Sequence, residues 1–188
     1  MKQVMTEIRE HCPGKRGCSS AEEGPKEPAP NIVECSTPQP LGMEDGTITD
    51  SQISASSSQT YFNAREARLN VGASWAARST DTNPWIEVDL GESRVVSGVT
   101  TEGYAYQTSV CYCVTKYKVA YQKQPSSDRV HVTDLNGNVT VFPGNTQGDT
   151  PVTNLFNESV LVTAVRIEPT EWLTVVSLRL ELLGCPFD

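Results

Sequence analysis

Few side chains of this 188-residue sequence can do chemistry, and cysteine is the most prominent type. The six cysteines are Cys12, Cys18, Cys35, Cys111, Cys113 and Cys185. The two histidines, His11 and His131, lie outside any H-E-x-x-H motif, and the sequence contains no G-x-S-x-G or phosphate-binding loop. A Cys–His dyad of Cys111 or Cys113 with His131 requires a free thiol, but thiols of exported domains are usually oxidised to disulfides. We therefore predict that the chain is not an enzyme.

The cysteine spacing alone leaves several pairings open. Cys12 and Cys18 could close a small loop or belong to a preceding cysteine-rich module. Cys111 and Cys113 could bond to each other in a strained and reducible ring, bond elsewhere or stay free. A C-x-C pair can also bind a metal ion, but no other Cys or His is expected nearby to complete a tetrahedral site. We favour the local disulfide and predict no metal and no cofactor.

Composition and charge restrict the class of partner. The net charge of −8 argues against nucleic acid and against purely electrostatic adhesion to anionic lipid. The six cysteines and the N-glycosylation sequons at Asn138 and Asn157 indicate an oxidising, extracellular setting. A cytosolic protein with chance sequons is the alternative.

The amino-terminal residues differ in kind from the rest. The segment 1–34 is rich in Glu, Lys, Pro, Gly and Ser, so we expect a flexible linker or tail. It lacks the apolar core of a signal peptide, and the sequence contains no membrane-length apolar run. We therefore expect the sequence to be the carboxy-terminal piece of a longer secreted or membrane-anchored protein, with its domain at 35–185.

The run from Trp85 to Gly103 is the clearest pair of strands in this domain. Ile86, Val88 and Leu90 alternate with polar or amphipathic residues, and Gly91 interrupts the pattern before it resumes. Other β-rich segments are 48–56, 64–70, 114–121, 130–133, 139–142, 160–168 and 176–183. Asn136-Gly137 predicts a type I′ hairpin turn. No helical period is sustained, so we expect an all-β sandwich or barrel.

The first and last cysteines of the domain bracket these strands. A bridge between Cys35 and Cys185 would close a loop of about 150 residues, worth roughly 5 kcal/mol in the chain-entropy model. It would also hold the two ends of the domain together, so we expect any recognition surface at the opposite end.

Several motifs occur together in a characteristic order. They are CSTPQPLGMEDGTITDSQISASS, AREARLN, WIEVDLGESRVVSGVTTEG, VTKYKVAY, VFPGNT, VRIEPTEW and LRLELLGC. The region from Cys35 to Cys185 thereby resembles a discoidin domain, also called the factor V/VIII type C domain. The resemblance implies an eight-stranded antiparallel jelly-roll barrel, galactose-binding-like, closed by a Cys35–Cys185 disulfide. Members of this non-catalytic family bind phospholipids, glycans, collagen or peptide termini through three loops called spikes.

Carried onto this sequence, the resemblance places the spikes at 57–63, 72–83 and 104–113. The ligand-binding residues that it predicts are Tyr61, Phe62, Asn63, Arg78, Asp81, Tyr104, Tyr106 and Tyr112. Neuropilin-like members hold a terminal arginine between an acidic residue and aromatic residues. Asp81 and Phe62 stand near two of those positions, whereas Cys113 replaces a tyrosine.

Three other large side chains are expected to be structural. We expect Trp75 and Trp85 to lie in the core. Arg68 should be buried and paired with Asp89 or Glu181, because a buried guanidinium needs carboxylate or carbonyl partners.

The predicted function is extracellular adhesion or recognition. The acidic charge favours a glycan or protein ligand on a cell surface or in the matrix. The alternatives are binding to an anionic phospholipid membrane that contains phosphatidylserine, and an accessory role that directs an attached enzyme to its substrate.

Overall fold

The computed structural model describes residues 35–106 and 110–185. The chain divides into two units, 1–31 and 32–188, and every described residue belongs to the second. The predicted linker at 1–34 and the predicted Cys12–Cys18 pair lie outside the described residues and stay predictions. Within the described ranges, no helix is long and apolar enough to cross a membrane.

The described residues form ten strands and two 3-10 helices. The strands are β1 Gln39–Pro40, β2 Ile53–Ala55, β3 Trp75–Ala76, β4 Ile86–Glu102, β5 Tyr104–Tyr106, β6 Val110–Gln122, β7 Val130–His131, β8 Phe142–Pro143, β9 Val152–Leu173 and β10 Ser177–Cys185. The 3-10 helices are Asp50–Gln52 and Ala64–Glu66. The main strand order is β1-β10-β4-β9-β6-β5, while β2 pairs with β4, β3 with β10, and β7 and β8 with β6.

All pairings between these strands are antiparallel, which confirms the predicted all-β antiparallel discoidin-like fold. The predicted count of eight strands is wrong for the described residues. Six of the ten strands contain only two or three residues. Such short strands cannot display an alternating pattern, so their pairing is set by tertiary contacts and not by sequence periodicity.

The central run folds as one strand instead of the predicted two. β4 continues through Gly91, and its pairing with β9 shifts register between Asp89 and Arg94. Gly91 has a positive φ of 74°, and its amide donates to the Asp89 carboxylate over 2.8 Å. The glycine therefore marks a bulge that bends a continuous strand without ending it.

Side chains of the four long strands pack together to form the core. Val88 of β4, Tyr117 of β6, Ile167 of β9 and Leu180 of β10 are all buried in one apolar cluster. Each such side chain contributes about 1.5–3 kcal/mol through burial. The predicted core position of Trp75 is confirmed by its complete burial.

Trp85 does not lie in the core as expected. It is only partly buried, and the guanidinium of Arg166 lies 3.8 Å from the centre of its ring. This cation–π contact covers one face of a tryptophan that lies outside the apolar cluster.

The predicted type I′ turn at Asn136-Gly137 is also wrong. Asp134 C=O accepts from the Gly137 amide over 3.0 Å, so Leu135 and Asn136 are the central residues. Only Gly137 of this turn has a positive φ, 81°, whereas a type I′ turn requires two such residues. The Asp134 carboxylate accepts from the amides of Asn136 and Asn138 and stabilises this alternative turn.

The Cys35–Cys185 disulfide lies at the end of β10. Cys185 pairs with Val95, whereas Arg179 pairs with Glu102, where β4 leads into the third predicted spike. Six residues of strand correspond to about 20 Å. The disulfide and that loop therefore lie at different ends of β10.

Candidate functional site

The three predicted spikes are in contact with one another. They comprise residues 57–63, 72–83 and 104–113, with 107–109 outside the described ranges. The Gln59 amide donates to Ala76 C=O over 2.8 Å, and the Ala76 amide donates to Phe62 C=O over 3.1 Å, which joins the first spike to the second. The Phe62 and Tyr104 rings pack edge to face at 5.9 Å, which joins the first to the third. The spikes thus form one surface.

Tyr61 is the most exposed of the predicted aromatic site residues whose side chains are described. Its side chain is 84% exposed. It lies in a turn closed by a hydrogen bond from the Phe62 amide to Gln59 C=O, and its φ is 70°. A bulky residue at this left-handed φ is strained, by roughly 1–3 kcal/mol. The fold therefore presents an aromatic ring to solvent on a strained backbone.

The other aromatic residues pack against each other. Phe62, Tyr104 and Tyr112 are partly buried, and the Tyr104 and Tyr112 rings lie 6.4 Å apart on paired positions of β5 and β6. Tyr106 is in β5, but its side chain lies outside the described part. This aromatic row supports the first and third spikes, so its members contribute to the shape of the surface as well as to its area.

Asp81 braces the loops. Its carboxylate accepts hydrogen bonds from the hydroxyls of Ser56 and Ser57, both over 2.6 Å, and from the Asn83 amide over 3.1 Å. Burial raises its pKa, but the hydrogen bonds outweigh burial, so the pKa of Asp81 lies below its ordinary value. Because both oxygens are engaged and Cys113 is buried in a disulfide, this arrangement does not support an arginine-binding cage.

Arg78 and Asn63 are both exposed on this surface. Arg78 Nε donates to Ser58 C=O over 3.0 Å, which holds the second spike beside the first. Asn63 precedes the 3-10 helix Ala64–Glu66, and its C=O accepts from the Glu66 amide. Arg78 therefore carries positive charge at the surface, while the backbone of Asn63 begins a helix.

A shallow depression of about 660 Å³ lies where the first two spikes meet the turn between β9 and β10. It is lined by Ser58, Gln59, Thr60, Arg78, Ser79, Thr80 and Val175. Six of these seven side chains carry hydrogen-bonding groups, and the only charged one is cationic. We call this feature the spike depression. Tyr61 follows Thr60 directly along the chain.

Sequence reasoning missed Arg179, which ties the bases of these loops together. This buried guanidinium donates to the carbonyls of Gly103, Val71 and Gly148 and to the Asp149 carboxylate. Its Nε also lies 3.4 Å from the buried Glu102 carboxylate. The alternation in LRLELL, which sets Arg179 opposite the core leucines, was the available signal.

The expected partners of Arg68 are wrong. Its partly buried guanidinium donates to Asp50 and to the carbonyls of Met43 and Ile48, so it is paired as expected but with other partners. Asp89 instead accepts from Gly91, as described above. Glu181 accepts from four backbone amides, those of Gly42, Met43, Glu44 and Leu182. Backbone amides of the 42–44 loop thus satisfy this buried carboxylate by hydrogen bonds, where a cationic partner was expected.

Cys111 and Cys113 are bonded to each other at the base of the third spike. Cys113 is buried and packs against Gly103, where an added Cβ would collide with the Cys113 sulfur. Because the Gly103 carbonyl accepts from Arg179, the disulfide and the arginine fix the same backbone segment. Within residues 35–106 and 110–185, no three His, Cys, Asp or Glu side chains are grouped to hold a metal ion.

The two sequon asparagines are exposed. Asn138 Nδ2 donates to the Asp134 carboxylate over 3.3 Å, and Asn157 Nδ2 donates to Thr133 C=O over 3.4 Å. They approach one hairpin that is separate from the spikes. Glycosylation at both stays a prediction.

Comparisons with known proteins agree with this architecture. Mouse retinoschisin is 33% identical over 163 residues, which cover 82% of this chain and 71% of retinoschisin. Discoidin II of Dictyostelium discoideum superposes with a TM-score of 0.61 at 21% identity, covering 72% of this chain and 56% of that one. The family 32 CBM of C. perfringens NanJ, solved in complex with galactose, gives a TM-score of 0.56 at 18% identity over 73% of this chain and 97% of that one.

The family model of the F5/8 type C domain matches residues 52–182, a span that holds all three spikes, the spike depression and Arg179. It begins just before β2 and ends within β10. On this match, and on the similarity to retinoschisin, the chain belongs to the F5/8 type C, or discoidin, domain family.

Proposed function

We propose that this chain is a non-catalytic, extracellular recognition module that binds a glycan of a cell surface or matrix through the spikes. The observation that carries the proposal is the polar spike depression, whose lining residue Thr60 is followed directly along the chain by the exposed Tyr61. Tyr61, Arg78 and the hydroxyl and amide side chains of the depression are the proposed ligand contacts. Phe62, Tyr104, Tyr112, Asp81 and Asn63 are proposed to shape the surface.

The chemistry of the lining favours a sugar. Hydroxyl, amide and guanidinium groups can pair with the many hydroxyls of a glycan, and an aromatic ring can pack on the apolar face of a pyranose. The depression is lined almost entirely by such polar side chains, and its lining residue Thr60 precedes the exposed Tyr61 along the chain. The galactose complex of the NanJ module supports the proposal, because it shows a sugar bound to the same fold.

An extracellular location is supported by covalent chemistry. The described residues contain two disulfides, and the exposed asparagines 138 and 157 both stand in sequons. Disulfides persist mainly in oxidising compartments. A secreted or cell-surface parent protein fits both features.

Binding to a phospholipid membrane is the second candidate. Tyr61 and Val110 of the spikes and Trp172 and Leu173 at the end of β9 are exposed, and apolar groups on loops can enter a lipid interface. The charge weighs against it. The net charge is −8, and Arg65 and Arg68, which follow the first spike along the chain, are paired with Glu66 and Asp50. Anionic lipid would therefore meet few unpaired cations.

The test applies the full chain to a glycan array and to liposomes with and without phosphatidylserine. Tyr61→Ala removes the ring, Tyr61→Phe keeps it, and Leu135→Ala removes an equally exposed side chain, 85% against 84%, on a distant hairpin. We expect glycan binding by the wild type, Tyr61→Phe and Leu135→Ala, and at least about a tenfold loss in Tyr61→Ala.

Two outcomes would overturn the glycan proposal. Liposome binding that depends on Tyr61, without any glycan signal, would make the module a membrane-docking domain. No binding to either surface would leave a protein ligand as the remaining class. Phe62 is a poor choice for this test, since its packing on Tyr104 makes loss of binding hard to separate from loss of loop structure.

A further inference from the structure

The turn between β9 and β10 adjoins the spikes although it is not one of them. We define the β9–β10 turn as Trp172–Val175. Val175 lines the spike depression, and Leu173 pairs with Cys113 at the base of the third spike. The Ala77 amide of the second spike donates to the carbonyl of Val176, the next residue along, over 3.1 Å. The turn therefore contacts the second and third spikes and closes one side of the depression.

The backbone of this turn is strained at the same surface as Tyr61. The Val175 amide donates to Leu173 C=O over 2.7 Å, and the intervening Thr174 has a φ of 62°. A γ-turn of this hand is rare, and a β-branched residue is sterically disfavoured at its centre. Thr174 and Tyr61 are two of the four non-glycine residues with positive φ in the described ranges. Strain of this kind concentrates where a surface has a binding role.

The turn also presents apolar area to solvent. Trp172 is 43% exposed and Leu173 is 44% exposed. Three residues span at most about 10 Å, so the Cα of Trp172 lies within about 10 Å of the Cα of Val175 in the depression wall. Exposed indole faces are expensive to keep in water and pack well on the apolar face of a sugar ring. Trp172 is not among the side chains that line the depression, so a ligand that fills the depression and also packs on the indole extends beyond the depression.

We propose that the β9–β10 turn is a fourth loop of the recognition surface, and that Trp172 supports a second sugar unit of an oligosaccharide whose first unit occupies the spike depression. This inference rests on the proposed glycan function and specifies its ligand class. The chain then prefers oligomers over the corresponding monosaccharide. Val175 and the strained Thr174 position the turn, and the indole makes the contact.

The experiment compares monosaccharides with their longer oligomers, galactose and its oligomers included, on an array and by calorimetry with the full chain. Trp172→Ala should weaken oligomer binding about tenfold, or about 1.4 kcal/mol, and leave monosaccharide binding unchanged, since it removes one aromatic contact. Trp172→Phe should keep most of the oligomer affinity. Leu155→Ala, which removes another exposed side chain of β9, should change neither.

The outcomes separate this inference from the proposed function. If the wild type binds no glycan, both fall. If glycans bind but Trp172→Ala keeps its oligomer affinity, or weakens monosaccharide and oligomer equally, the fourth loop is overturned while glycan recognition by the spikes stands. Unfolding curves of each variant distinguish a lost contact from a lost fold, and recovery in Trp172→Phe provides a second check.

Discussion

At the scale of single residues, two buried charges on β10 hold loop backbones in place. Arg179 and Glu181 alternate with Leu178, Leu180 and Leu182 along β10, and all five side chains are buried. A charge survives there only when its hydrogen-bonding groups are satisfied. Arg179 is satisfied mainly by loop carbonyls and Glu181 by loop amides. Each charge thus fixes loop backbone instead of merely pairing with another side chain.

Replacing Arg179 by methionine should therefore be strongly destabilising. The Arg179→Met variant keeps a long apolar stem but leaves Glu102, 4% exposed, without its cation and several carbonyls without a donor. Breaking a buried pair in this way costs about 3–5 kcal/mol. The free energy of unfolding in urea measures the loss. Arg65→Met, which breaks the exposed pair with Glu66, is the matched control and should cost at most about 1 kcal/mol. Equal losses in the two variants would contradict the proposed role of Arg179.

Single residues also show what the sequence could not predict about the site. The aromatic residues and Asp81 were placed on the spikes by resemblance, and the structure does bring these loops together. The sequence did not reveal that Asp81 is held by the hydroxyls of Ser56 and Ser57, because loop hydrogen bonds follow no periodicity. The positive φ of Thr174 could not be predicted either, because it depends on a loop hydrogen bond and not on periodicity.

At the scale of elements, alternation predicted the long strands and failed where strands bend or shorten. β10 displays its leucines on one face as expected. For β4, the break in alternation at Gly91 predicted two strands, whereas the structure has one strand with a bulge. Register shifts depend on the partner strand, and local sequence does not contain that information. Short strands such as β3, with two residues, are likewise defined only by their partners.

Charged side chains also join neighbouring elements on the solvent side. Glu87 of β4 accepts from Arg166 of β9 over 2.8 Å and from two nitrogens of Arg129, just before β7, over 2.7 and 2.9 Å. Burial raises the pKa of Glu87, but the two guanidinium groups outweigh burial and hold the pKa below its ordinary value of 4.5. The ionised carboxylate is thus stabilised by folding.

This lowered pKa fixes the sign of a pH dependence. The contribution of Glu87 to the free energy of unfolding is fully present above pH 4.5, its ordinary pKa, and is lost as the pH falls through the lower folded-state value. The Glu87→Gln variant should therefore be less stable than the wild type at neutral pH, and the difference should shrink in acid. Urea unfolding from pH 7 to below pH 4 measures both. Glu92→Gln, at an exposed site on the same strand, controls for the loss of one negative charge. A stability difference that does not change with pH would contradict the linkage.

At the scale of the whole molecule, the two disulfides have different roles. Cys35–Cys185 joins residues 150 apart and lies about 20 Å along β10 from the third spike, whereas Cys111–Cys113 joins residues two apart within it. A crosslink stabilises by restricting the unfolded chain, and the restriction grows with loop length. The long bridge should therefore govern stability, and the short one should govern the shape of the third spike.

Paired serine substitutions test this division. Cys35→Ser/Cys185→Ser should lower the free energy of unfolding by about 5 kcal/mol, and Cys111→Ser/Cys113→Ser by only about 1.5 kcal/mol, as the loop lengths require in the chain-entropy model. Ligand binding should follow the opposite order. The folded Cys35→Ser/Cys185→Ser variant should keep the spikes and their affinity. The Cys111→Ser/Cys113→Ser variant should lose affinity, because the disulfide no longer flanks Tyr112 or packs against Gly103. Urea unfolding measures the stability of each variant, and titration with the glycan that the wild type binds measures its affinity. Similar stability losses in the two variants would mean that native contacts near each bond, and not restriction of the unfolded chain, determine what each disulfide contributes.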